Sequence, residues 1–195
     1  MSGKAEEKRK LIVEAARGIF AEKGYRSVTM KDIVEACNIS RGGLYLYFSS
    51  TEEIFLEVMR TEHAKMDDIF ACQERENASP ADLLAFFLKE QKRGMLRKKN
   101  NLTMAVYEYY FENRLPGRSN PLKQQFETGV DIIESLIEAG IETGEFYCVD
   151  PRGTARNILY VLEGLRISAQ TRGIAEETVD RELLYVMQGL IIEED

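Results

Sequence analysis

The run Arg41-Gly42-Gly43 sets one guanidinium beside two residues that carry no side chain. Arginine presents several N–H donors in a planar fork, which suits the paired acceptors of a guanine edge or the oxygens of a phosphate. Adjacent glycines thin the surface and let the backbone come close to such a partner. Each costs roughly 1 kcal/mol relative to alanine inside a helix, so a pair near a helix start points to a steric reason. A helical hairpin whose glycines merely permit close packing is the plainer reading of the same run. Tyr45 and Tyr47 follow; their phenols can lie against a sugar–phosphate backbone or be partly buried in a small domain. Thr29, Ser40 and Thr51 stand near expected helix starts, where hydroxyls and backbone N–H groups meet phosphate or simply cap the helix. Lys31 and the Lys4, Lys8, Arg9 and Lys10 group add candidate backbone contacts.

These residues are useful only on two short helices joined by a tight turn, the second free to enter a major groove. The segment from Thr29 to Tyr45 meets that need. Thr29 with Asp32 is an acidic variant of the capping box and opens one helix; Ser40 caps the next. Ile33, Val34, Ile39 and Leu44 can pack the pair, Ala36 is small enough for a close crossing, and Phe48 reads as core.

Nearly every other segment has helical periodicity as well. Ile12, Ala15, Ala16, Ile19 and Phe20 mark a first helix stopped by Gly24. Ser50 and Glu53 form a second capping box before a long helix carrying Ile54, Phe55, Val58, Met59, Met66, Ile69 and Phe70. Ser79-Pro80 with Asp82 starts another, and a helix is expected over Asn101 to Asn113. The loop Arg114 to Asn120 precedes a start at Pro121, and Gly144 ends that region, with Gly140 a possible earlier fraying point. Asp150-Pro151 opens a helix that stops at Gly173, and a terminal helix runs from about Glu176 to Ile191. The expected class is all-α: a three-helix helix-turn-helix domain over residues 1–50, then a larger helical body over 51–195.

Composition sets the outer limits. The net charge of −7 looks wrong for a nucleic-acid binder until the chain is divided. Residues 1–50 hold nine Lys/Arg against six Asp/Glu, a net +3; the rest holds seventeen against twenty-seven, a net −10. A basic end on an acidic body fits DNA contact confined to that end. No run of about twenty apolar residues occurs, so no membrane span is expected. Met1 to Lys10 is polar, so no secretory signal is expected, and a cytoplasmic location follows. Cys37, Cys72 and Cys148 are too scattered for a disulfide framework or a metal knuckle, and His63 is the lone histidine. No phosphate loop, nucleophile–base pair or ligand cluster supports an enzyme, and no cofactor is expected.

The first helix and the block from Thr29 through Phe55, roughly the first quarter of the chain, resemble the tetracycline-repressor (TetR) family. The resemblance rests on Thr29-Met30, Ile33, Ala36, Asn38-Ile39-Ser40, Arg41-Gly42, Leu44-Tyr45-Leu46-Tyr47-Phe48 and Glu52-Glu53-Ile54. It implies a repressor: a homodimer whose short third helices enter neighbouring major-groove segments of a pseudo-palindromic operator, with a C-terminal domain that binds a small-molecule effector and dimerises. Two departures stand out. Thr51 replaces a lysine common in the family, and Gly43 replaces a small hydroxylated residue, which leaves Arg41 and the backbone with more of the reading.

In the body, Phe86, Phe87, Met95, Met104, Tyr107, Tyr110 and Phe111 could line a chamber for an apolar or amphipathic effector, with Glu108, Glu163 and Arg166 as polar groups. Ordinary core packing is the plainer reading of each. The resemblance puts a four-helix dimer interface on the last two helices, with Ile158, Leu162, Leu165, Leu183, Met187 and Leu190 as its candidate contacts. The competing reading from another class is a helical interaction or adaptor protein without specific DNA binding.

Overall fold

The computed structural model describes residues 3–75, 78–97, 101–113 and 120–190, without the side chains at 63 and 65–75. The readings of the His63, Met66, Ile69 and Phe70 side chains, of Cys72, of the loop residues 114–119 and of Ile191 fall outside the described residues. The described residues hold nine α-helices: α1 Gly3–Lys23, α2 Met30–Cys37, α3 Arg41–Tyr45, α4 Thr51–Arg75, α5 Pro80–Met95, α6 Thr103–Glu112, α7 Pro121–Glu142, α8 Pro151–Thr171 and α9 Glu176–Gln188. The fold is all-α, with α1–α3 as an N-terminal helix-turn-helix, as the sequence pattern predicts.

Local chemistry explains most of the boundaries. The stripe Ile12, Val13, Ala16 and Phe20 buries one face of α1. The helix stops at Gly24, whose φ of +77° favours glycine. Thr29 and Asp32 form the full capping box at α2: the Thr29 hydroxyl accepts from the Asp32 N–H at 3.3 Å, and the Asp32 carboxylate accepts from the Thr29 N–H at 2.8 Å. Asn38 closes α2 in the left-handed region, which a short polar side chain tolerates. Ser40 caps α3 by accepting from the Gly43 N–H at 3.0 Å. Only half of the box expected at α4 forms. The Ser50 hydroxyl accepts from Glu53 N–H at 3.1 Å, but the Glu53 carboxylate reaches past it to the Ser49 N–H and hydroxyl at 2.7 and 2.8 Å. Those bonds, the backbone one first, hold the Glu53 carboxyl below its ordinary range.

Among the described residues, those within 1–69 and 98–114 make one compact unit, and those within 70–97 and 115–195 a second. The first is organised around Phe20, Ile33, Leu44, Phe48, Ile54 and Phe55, all 1% exposed or less. Burying a side chain of this size contributes about 1.5–3 kcal/mol. The boundary read at 50/51 lies at the start of α4, whose Ile54, Phe55 and Val58 pack into this core. Ala105 and Tyr109 of α6 join it too. The Tyr109 hydroxyl donates to Glu52 at 3.1 Å, and burial together with that carboxylate pushes the phenol up to about 12. Glu108 accepts from the Arg26 N–H at 3.0 Å, with its carboxylate where a side chain at Gly24 would have to stand.

The second unit packs Leu84, Leu88 and Met95 of α5, Val130, Ile133 and Ile137 of α7, and the inner faces of α8 and α9 into one core. Gly140 stays inside α7, since the Phe146 ring fills the space its side chain would need. Surface ion pairs join the helices: Lys92 with Glu176 and Asp180, Arg152 with Asp131 and Glu134, Arg156 with Glu127. Each exposed pair of this kind is worth about 0–1 kcal/mol. Among the described residues no helix is long and apolar enough to cross a membrane.

Candidate nucleic-acid interface

The turn between α2 and α3 is held from both sides. Lys23 of α1 donates to the Asp32 carboxylate at 2.6 Å, which ties α1 to the start of α2. The Lys23 bond first, then those from the Thr29 hydroxyl and N–H, hold the Asp32 carboxyl well below the usual carboxylate range. Arg9 of α1 fixes the far end of α3. Its Nη1 donates to the Tyr47 carbonyl at 3.1 Å, and its Nη2 lies 3.5 Å from the Glu57 carboxylate on α4. Leu44 and Phe48 anchor the buried side of α3, leaving its other side to solvent.

On that solvent side lie Arg41, Gly42, Tyr45 and Leu46, all exposed. The Arg41 guanidinium carbon is 5.7 Å from the Tyr45 ring centre, one turn along. A Cβ added at Gly42 would meet no atom within 4 Å, so nothing inside the chain requires a glycine there. At Gly43 a Cβ would stand 3.1 Å from the Ser40 hydroxyl, so that glycine has a local cause in the cap. Tyr47 is half-buried against the first core. The Thr29 and Ser40 hydroxyls are engaged in their caps, and Thr51 lies half-buried at the start of α4. Lys31 is exposed, with Glu35 at 3.7 Å one turn on. Ala36 is exposed rather than at a helix crossing. Leu46 is absent from the sequence-based site, although its four-residue spacing from Gly42 places both on one face. Arg9 was legible as a basic residue but not as an internal tie.

The structure does not gather the chamber residues in one unit. Phe86, Phe87 and Met95 lie on α5 in the second unit, where Met95 is buried core and Phe87 packs against that core. Met104, Tyr107, Tyr110 and Phe111 lie on α6 in the first. There Tyr110 packs on the core, Tyr107 stacks on Phe111 at 6.2 Å, and Met104 and Phe111 are exposed. Glu108 is engaged with the Arg26 N–H, while Arg166 bonds to Gln91 and has Glu163 at 3.9 Å. An open groove of about 320 Å³ runs along α8 and α9, lined by Val161, Gly164, Leu165, Ser168, Arg172, Ile174, Thr178 and Glu182. Leu165 is its sole member of the residues singled out in the sequence.

The candidate interface side chains turn inward. Ile158, Leu162, Leu165, Leu183 and Leu190 are buried in their own unit, and Met187 packs against the same core. That burial corrects Leu162 and Leu190 as partner anchors, since neither leaves any surface for a second chain. The apolar groups that α8 and α9 present to solvent are Tyr160, Ile167, Leu184 and Tyr185.

Comparison with known proteins agrees with this geometry. Residues 12–58 match the family of bacterial regulatory proteins named tetR, and residues 83–193 match the tetracyclin repressor-like C-terminal domain. YfiR of Bacillus subtilis (strain 168), an uncharacterised HTH-type transcriptional regulator, is 34% identical over 159 residues, covering 79% of this chain and 76% of its own. QacR of Staphylococcus aureus, an HTH-type transcriptional regulator, is 22% identical over 169 residues, covering 85% of this chain and 87% of its own. The crystal structure of a TetR transcription regulator from Haloarcula marismortui shares the fold, with a TM-score of 0.80 at 18% identity over 94% of this chain and 96% of that one. Members of this family are non-catalytic, bind DNA and dimerise through their C-terminal helices. With both of its regions matched, the chain belongs to the tetracycline-repressor family and is a ligand-responsive DNA-binding transcriptional regulator.

Proposed function

We propose that this regulator is a cytoplasmic repressor: a homodimer holds a pseudo-palindromic operator through its two α3 helices, and a small apolar or amphipathic effector releases it. The observation that carries the DNA half is Gly42. Its helix tolerates a glycine for no internal reason, beside an exposed arginine and tyrosine, and a close partner surface supplies the missing reason. Arg41 is then the base-reading donor, Tyr45 and Tyr47 lie along the sugar–phosphate backbone, and Thr29, Lys31, Ser40 and Thr51 sit within reach of phosphates. Residues 1–50 do the reading, and residues 51–195 carry the effector and the partner chain.

Within the second unit, Phe86 and Phe87 of α5 support an apolar effector. Release requires that the effector favour a spacing of the two α3 helices that does not fit adjacent major grooves. Selection of DNA from a random pool with the full-length protein, followed by footprinting and effector titration, tests both halves. Enriched inverted repeats protected by the protein and freed by a bound effector are expected. A protein that enriches no sequence overturns the operator reading, and an effector that binds without changing operator affinity overturns the release.

A further inference from the structure

Leu46 is 83% exposed, against 45% for Tyr45 beside it. A single exposed leucine is ordinary on a protein surface, so its placement has to carry the argument. It caps the C-terminal end of α3 with right-handed helical backbone, and its N–H donates to the Gly42 carbonyl at 3.3 Å. Residues four apart on a helix share a face, and helical side chains lean back toward the N-terminus. Leu46 and Gly42 therefore share one face of α3, and a Cβ at Gly42 would meet nothing within 4 Å, the Leu46 side chain included. Arg41 and Tyr45, also four apart, make a parallel polar stripe. The exposed side of α3 thus offers a guanidinium and a phenol in one row, and an isobutyl group in the next.

An isobutyl group cannot read hydrogen-bond donors or acceptors. The apolar mark that a major groove presents is the thymine 5-methyl group. We infer that Leu46 packs against a thymine 5-methyl group in each half-site, making it a specificity-determining residue for A·T pairs next to the base that Arg41 reads. The inference rests on the DNA-binding reading above. Removing one buried methyl should weaken binding about threefold to fivefold.

The test replaces each thymine of the selected operator in turn with deoxyuridine, which deletes the 5-methyl group and keeps every hydrogen-bonding atom. Affinities are measured for the full-length protein and for Leu46→Ala, whose exposed site leaves the core intact. At symmetry-related thymines, uracil should weaken the wild-type protein about threefold to fivefold and leave Leu46→Ala unaffected. The inference is overturned if no thymine shows a uracil effect that depends on Leu46. It is equally overturned if Leu46→Ala weakens every sequence alike, the mark of packing on deoxyribose. Failure to enrich any operator removes the DNA-binding reading itself, and this inference with it.

Discussion

The Arg9 guanidinium carbon lies 4.2 Å from the centre of the Phe48 ring, one face of a buried aromatic used as a seat for a cation. The same group donates to the Tyr47 carbonyl and faces the Glu57 carboxylate. One arginine on α1 therefore holds the residues that follow α3 and the second turn of α4. Glu57 does not depend on it alone, because Arg60 bonds the same carboxylate at 2.6 Å and is the first cause holding that carboxyl below its ordinary range.

Arg9→Ala should lower stability by about 1–3 kcal/mol through the lost ring contact and the charge-assisted bond. For a chain of this size that is a fall in Tm of several degrees, at about 2–4 °C per kcal/mol. Operator affinity should fall with it, because α3 loses its outer support, while the dependence of affinity on salt stays unchanged. Arg9→Lys should rescue only part, since an ammonium cannot both stack flat and donate sideways. A phosphate contact behaves otherwise: its loss would reduce the salt slope by about one. Calorimetry paired with salt titrations separates the two.

Asp32 gives a pH dependence of known sign. Its folded carboxyl is held well below the ordinary value of about 3.9 by Lys23 first and Thr29 next. A depressed folded pKa means the contribution is complete above the unfolded pKa and is lost as pH falls through the folded one. Unfolding free energies of wild type and Asp32→Asn should therefore differ by a constant amount from about pH 5 to 7 and converge from about pH 4 downwards. A gap that widens on acidification would contradict the Lys23–Asp32–Thr29 arrangement.

The caps were legible because they are settled within three or four residues. Thr29 with Asp32, Ser40 with Gly43, and Ser79 with Asp82 each follow from a hydroxyl and an N–H one turn away. What escaped is decided at long range. Arg9 meets Tyr47 across 38 residues, and Glu108 meets Arg26 across 82, so no local pattern marks either. The packing of Ala105 and Tyr109 into the first unit's core is of the same kind. Helical spacing also says that a stripe is apolar, not what covers it. Leu162 of α8 and Leu183 of α9 are buried in their own chain, while Tyr160 and Tyr185 on the same helices face solvent.

That distinction changes how dimerisation is tested. Charge at a buried position unfolds the chain, whereas charge at an exposed one acts on association. Ile167→Asp with Tyr185→Asp should leave helical content and Tm of the dilute protein close to wild type, while sedimentation shifts toward monomer and operator affinity falls. Leu162→Asp should instead lose folded protein altogether, because a carboxylate would enter a fully enclosed core. A tight dimer after the double exposed substitution would exclude these two side chains from the interface.

Two glycines in helices separate stability from function most cleanly. At Gly140 the Phe146 ring occupies the side-chain space, so Gly140→Ala should overpack the second core and cost about 1–3 kcal/mol. At Gly42 the space is open and the backbone φ is not among the positive values, so alanine fits without strain. Helix propensity then favours the substitution by up to about 1 kcal/mol, and Gly42→Ala should keep Tm at or above wild type. If α3 lies close to base edges, the same methyl stands between backbone and DNA, and operator affinity should fall at least tenfold. Arg41→Ala should weaken specific binding by a comparable amount, a lost bidentate base contact being worth about 1–3 kcal/mol, while leaving Tm unchanged. Gly42→Ala with undiminished operator affinity would show that the open face of α3 is not the surface applied to DNA.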